Sequence, residues 1–92
     1  MKKPSQKKFN KWSENIMDEF EFEKVHKTMK LLNWEWRNIG VPDITEIRRN
    51  ARYILNTAYK SESGYCSTGG FESKVTKHGI SLKFIIAEWD TY

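Results

Sequence analysis

Ninety-two residues leave room for one domain, and a domain of that size buries only roughly 60–65% of its unfolded surface, so its stability is modest. Four Trp, five Phe and four Tyr give a small core large apolar side chains, while a single cysteine excludes an internal disulfide and a cysteine-based zinc site. The net charge is +4, and the chain has neither an apolar run of about 18 residues nor an apolar segment behind its first lysines; neither a helical membrane span nor a secretory signal is expected, and a cytoplasmic protein is.

Charge is segregated along the chain. Residues 1–13 hold Lys2, Lys3, Lys7, Lys8 and Lys11 without an acid, and residues 14–23 hold Glu14, Asp18, Glu19, Glu21 and Glu23 without a base. The two blocks cancel, so the positive surplus belongs to residues 24–92. A basic arm can serve as a nucleic-acid tail, but the adjacent acidic block repels phosphate or satisfies the arm internally. Residues 1–17 are therefore expected to be an arm that is partly disordered or a short helix, with Phe9, Trp12, Ile16 and Met17 at i, i+3, i+7 and i+8. Residues 18–92 are expected to form the domain.

The first strong helical stripe is Phe22, Val25, Met29, Leu32 and Trp36, which predicts a helix from about Glu21 to Trp36. Its acidic start and the later Lys24, Lys27 and Lys30 suit the helix dipole. The pair Trp34 and Trp36 splits between two sides of that helix, one indole for the core and the other for a pocket or an interface. Asn38-Ile39-Gly40-Val41-Pro42 breaks the pattern. Asp43-Ile44-Thr45-Glu46 then reads as a capping box, and Ile44, Ile47, Ala51, Ile54, Leu55 and Ala58 form the stripe of a second helix. The short connection predicts that the two helices pack antiparallel.

Ser61-Glu62-Ser63-Gly64 ends the second helix, and a strand is expected from about Tyr65 to Val75 with Gly69-Gly70 as a bulge or a point of close approach within it. A turn at Lys77-His78-Gly79 leads into a second strand from Ile80 to Trp89. There Ile80, Leu82, Phe84 and Ile86 share the face toward the helices, and Ile85, Ala87 and Trp89 make the other face apolar near its end. The expected fold is thus α+β, two antiparallel helices packed on a C-terminal antiparallel β-hairpin. Because a lone hairpin is marginal and has two open edges, it is expected to pair with a second copy or be covered by the N-terminal arm, a homodimer through Ile85, Ala87 and Trp89 being the favoured arrangement.

Two groups of residues suggest anion binding. Arg48, Arg49 and Arg52 project from the polar side of the second helix within about one turn, offering three guanidinium forks. Ser67, Thr68, Gly69 and Gly70 supply hydroxyls and accessible amides, yet they lack the glycine spacing and lysine of a P-loop and precede no helix. Brought together, the two groups would make a phosphate pocket. Cys66, His26 and His78 show no spacing that assembles a nucleophile, base and orienting group, so no enzyme, metal or cofactor is expected.

Phe20-Glu21-Phe22-Glu23-Lys24-Val25-His26-Lys27, Leu32-Asn33-Trp34-Glu35-Trp36, Gly40-Val41-Pro42 and Ser67-Thr68-Gly69-Gly70-Phe71, followed by Ser81-Leu82-Lys83-Phe84, come in an order that resembles a set of small uncharacterised bacteriophage and prophage proteins. The resemblance covers about residues 18 to 90 and omits the basic arm. It implies a viral accessory protein made in the cytoplasm of a bacterial host and carries no established activity or site. The function expected on these grounds is stoichiometric binding of a host component, either a host protein or an anionic nucleotide. The alternative is a nucleic-acid-binding accessory that uses the arm and the arginines, without a membrane partner.

Overall fold

A computed structural model describes residues 3–34 and 40–85. Three helices, α1 (Gln6–Glu19), α2 (Phe22–Leu31) and α3 (Ile44–Lys60), precede three strands, β1 (Tyr65–Thr68), β2 (Phe71–Thr76) and β3 (Gly79–Phe84). The architecture is α+β with an antiparallel sheet in the order β1-β2-β3, so the hairpin expected at the C-terminus is extended by one strand.

The extra strand comes from the two glycines. Gly69 and Gly70 have φ of 58° and 86°, and Thr68 pairs directly with Phe71, so the glycines are the two-residue loop of a hairpin rather than a bulge inside one strand. Positive φ at both loop residues is the primed turn whose twist matches that of its flanking strands, and glycine adopts it without a Cβ clash. The expected single strand from Tyr65 to Val75 is therefore β1, a turn and β2. The next turn, Lys77-His78, is tied by the Thr76 hydroxyl, which accepts from the His78 N–H and donates to the Gly79 carbonyl, each at 3.2 Å.

α2 is shorter than its apolar stripe suggests. Asn33 sits at φ 55°, the Trp34 N–H donates to the Met29 carbonyl at 3.0 Å, and the Asn33 N–H donates to the Lys30 carbonyl at 3.2 Å. These two bonds are a Schellman closure, with asparagine in the left-handed position that ends a helix. Trp34 is turned back, half-buried, against the core, whereas Trp36 lies outside the described residues. α3 begins as its sequence suggests, with the Glu46 N–H donating to Asp43 Oδ1 at 2.9 Å. The Glu46 carboxylate does not close the box and pairs with Arg49 instead.

Residues before 18 contribute to the core. Ser5 caps α1 by accepting from the Lys8 N–H at 3.2 Å, and Phe9 and Met17 from α1 are buried in one cluster with Phe22, Val25 and Met29 of α2, Ile47, Ile54 and Leu55 of α3, and Phe71 and Val75 of β2. α3 lies across β1 and β2, and α1 reaches β3. Phe71, Ser73 and Val75 face inward on the central strand, and the register sets Phe84, Leu82 and Ile80 beside them on β3. The expected helix-facing side of the last strand is thus observed as far as Phe84. β3 ends at that residue; Ile85 is half-buried with its N–H bonded to the Gly70 carbonyl at 2.9 Å, and Ile86, Ala87 and Trp89 lie outside the described residues.

Candidate anion-binding groove

The corner between α1 and α2 is made by Phe20 and Glu21, and α2 leaves it with Phe22 facing the core at 3% exposure. One turn on, Lys24 and Lys27 stand at i, i+3 on the outer side of α2. On α3, Ile44 and Arg48 are one helical turn apart and come against this corner. The Arg48 guanidinium lies over the Phe22 ring, 5.1 Å from its centroid. At an exposed residue such a cation over an aromatic face contributes about 0.5–1 kcal/mol, and it holds the guanidinium in place without neutralising it.

Phe20, Phe22, Lys24, Lys27, Ile44 and Arg48 line an open groove of about 650 Å³ together with the carboxylates Glu21 and Glu23. Glu21 pairs with Lys24 at 3.6 Å, but both side chains are more than 70% exposed, so water and salt screen the pair. Among the described residues Lys27 and Arg48 pair with no carboxylate. Phe20, Glu21 and Lys24 also border a second cavity of about 460 Å³, whose other walls include Val25, Thr28 and Phe84. A fixed cation beside apolar walls can hold an anionic group that carries a hydrophobic part.

The residues singled out in the sequence are distributed differently from the pocket imagined for them. Arg48 enters the groove, Arg49 pairs with Glu46, and Arg52 donates to Glu14 Oε1 of α1 at 3.0 Å. The three forks thus meet three separate environments. Ser67 and Thr68 are exposed on edge strand β1, and the Gly69-Gly70 turn closes the hairpin, with the Gly70 carbonyl occupied by Ile85. No residue of that segment lines the groove that holds Arg48. The sequence reading missed Phe22, Lys24, Lys27 and Ile44; the spacing Phe20-x-Phe22-x-Lys24 with Lys27 was legible, but only tertiary packing sets it against α3.

Cys66 and the two histidines do not form a site. Cys66 lies half-buried on the inner side of β1 opposite Ser73, while His78 occupies the exposed β2–β3 turn. Among the described residues no three His, Cys, Asp or Glu side chains converge as metal ligands, and no described helix is long and apolar enough to cross a membrane. Burial pushes the Cys66 thiol above its ordinary pKa, which lowers its thiolate fraction at any given pH. Alkylation by iodoacetamide at pH 8 is therefore expected to run several-fold slower in the folded protein than in urea, the gap narrowing as pH rises. Equal rates in the two states would show that the thiol is not shielded.

In comparisons with known proteins the chain matches no family model, and neither a curated protein nor a solved structure shows significant similarity to it.

Proposed function

We infer that this protein is a small, non-enzymatic accessory protein of bacteriophage type that acts in the bacterial cytoplasm by stoichiometric binding of an anionic host component. The order of segments from Phe20 to Phe84 supports the class. The observation that carries the binding reading is Arg48, which is seated on Phe22 and faces a groove of about 650 Å³ with Lys24 and Lys27. A cation positioned in advance loses little side-chain freedom on binding, so its charge-assisted bond to a ligand is less offset by ordering. The bound group is an acidic segment of a host protein or the phosphate of a nucleotide, and the homodimer expected from the sequence belongs to the same proposal.

Native mass spectrometry of the protein purified from bacterial cells tests this directly. The wild-type chain is expected to retain an anionic adduct or an acidic partner, and an Arg48→Ala, Lys27→Ala variant to lose it by at least about tenfold, the scale of one charge-assisted hydrogen bond. Both positions are exposed, so an unchanged circular dichroism spectrum is expected alongside. A wild-type protein that retains nothing, or a variant that keeps its adduct, would remove the groove from the proposal. The same spectra report whether the chain is a dimer.

A further inference from the structure

A second charged surface adjoins the groove on α3, starting at Arg49 and Arg52 beside Arg48. Arg52 meets Glu14 at 3.0 Å, the Tyr59 hydroxyl donates to the Pro4 carbonyl at 2.8 Å, and the Tyr59 ring stacks on Phe9 with centroids 4.2 Å apart. These contacts fix α1 antiparallel to α3, and they set the lysine-rich first half of α1 beside the last two turns of α3. The basic arm seen in the sequence and the outward arginines of the second helix are thereby joined into one face.

On α3, Arg49, Tyr53, Asn56 and Lys60 follow one another at i, i+4, i+7 and i+11, with Arg52 beside them, and all five are exposed. Tyr53 keeps 60% of its surface in solvent although nothing apolar surrounds it on this row. On α1, Lys7, Asn10 and Lys11 are exposed, and the Lys3 ammonium lies 5.6 Å from the Tyr59 ring centroid. Of the carboxylates on this face, Glu14 and Glu46 are each engaged by an arginine and Asp18 stands exposed one turn beyond Glu14, whereas Lys3, Lys7, Lys11 and Lys60 pair with no carboxylate among the described residues.

We propose that the α1–α3 face binds double-stranded DNA, with the Arg49–Lys60 row of α3 toward a groove and the α1 lysines on the flanking phosphates. Arg49 to Lys60 spans about 16 Å at the α-helical rise, a length of duplex that carries on the order of ten phosphate charges. The major groove, about 12 Å wide, admits a helix, and arginine and asparagine are the side chains whose donors and acceptors match guanine and adenine edges there. A protein partner fits less well, because the row's one large exposed apolar side chain, Tyr53, stands among spread cations and amides and not in an apolar cluster that would exclude water. The face borders the Arg48 groove but shares none of its lining residues.

Fluorescence anisotropy of a labelled 20-base-pair duplex with the full chain, repeated at stepped salt concentration, tests the assignment. Four to six phosphate contacts predict a log–log slope of affinity against salt of about −3.6 to −5.4. Lys7→Gln, Arg49→Gln and Lys60→Gln are each expected to reduce that slope by about one, and Lys7→Glu with Lys60→Glu to remove binding, while Lys74→Gln, exposed on the sheet face turned away from α3, leaves it unchanged. These positions are exposed, and circular dichroism checks that each variant is folded. Absence of binding at low salt, a slope unmoved by the three Gln variants, or a preference for a single strand of equal length would each overturn the proposal. Binding that Arg48→Ala alone abolishes would do the same, by assigning DNA to the groove.

Discussion

Phe71→Ala is expected to lower the stability of the protein by about 3–5 kcal/mol, most of what a domain of this size has. Phe71 is fully buried at the start of the central strand, with its ring 5.6 Å from Phe84 and 6.0 Å from Phe20 between centroids. Its removal thus takes away the side chain that joins the sheet to the α1–α2 corner, and three secondary structure elements close on the void only in part. The neighbouring rings lose edge and face contacts that contribute beyond their buried area. Urea unfolding followed by tryptophan fluorescence gives the number. Phe84→Ala, at a half-exposed site in edge strand β3, is expected to cost less than Phe71→Ala. A loss below about 1 kcal/mol for Phe71→Ala would be incompatible with a core centred on β2.

Removing residues 1–17 is expected to leave a chain that does not fold cooperatively at 25 °C. Those residues hold Phe9 and Met17, exposed by 1% and 2%, and Phe9 stacks on Tyr59 of α3. Losing one buried phenylalanine and one buried methionine costs about 5–10 kcal/mol on the scale of single truncations, comparable to the whole stability of a small domain. Heating monitored by circular dichroism is expected to show a sigmoidal transition for the full chain and a gradual decline for the shortened one. A shortened chain that melts sharply near the temperature of the full one would make α1 a peripheral helix. The point bears on function too: deletion of the basic segment cannot separate DNA binding from folding, and only substitutions of its exposed lysines can.

Where the local signal was strong, the sequence was legible. Asp43 accepting from Glu46 and the stripe from Ile44 to Ala58 placed α3 correctly, because a cap and a periodic apolar face act within one element. The Gly69-Gly70 pair was misread although its signal was available, since two adjacent glycines between alternating segments also suit a two-residue hairpin loop. The end of α2 was read too far along because Leu32 continues the apolar stripe, while Asn33, in the left-handed conformation, had already closed the backbone.

The candidate sites were less legible than the fold. Arg48, Arg49 and Arg52 look equivalent in sequence, yet one rests on an aromatic ring of α2, one pairs within its own helix, and one reaches across to α1. Helical spacing determines that they project within one turn of each other, but the neighbour that each meets depends on which helix packs alongside. Likewise, the balance of lysines and acids near the N-terminus follows from the sequence alone, whereas their placement beside Lys60 follows from the antiparallel packing of α1 on α3. The sequence by itself determined the α+β class, the start of α3 and the inward face of the last strand as far as Phe84. Only the tertiary structure decided the groove and the joined basic face, because each is made by side chains far apart in the chain and held together by a shared core.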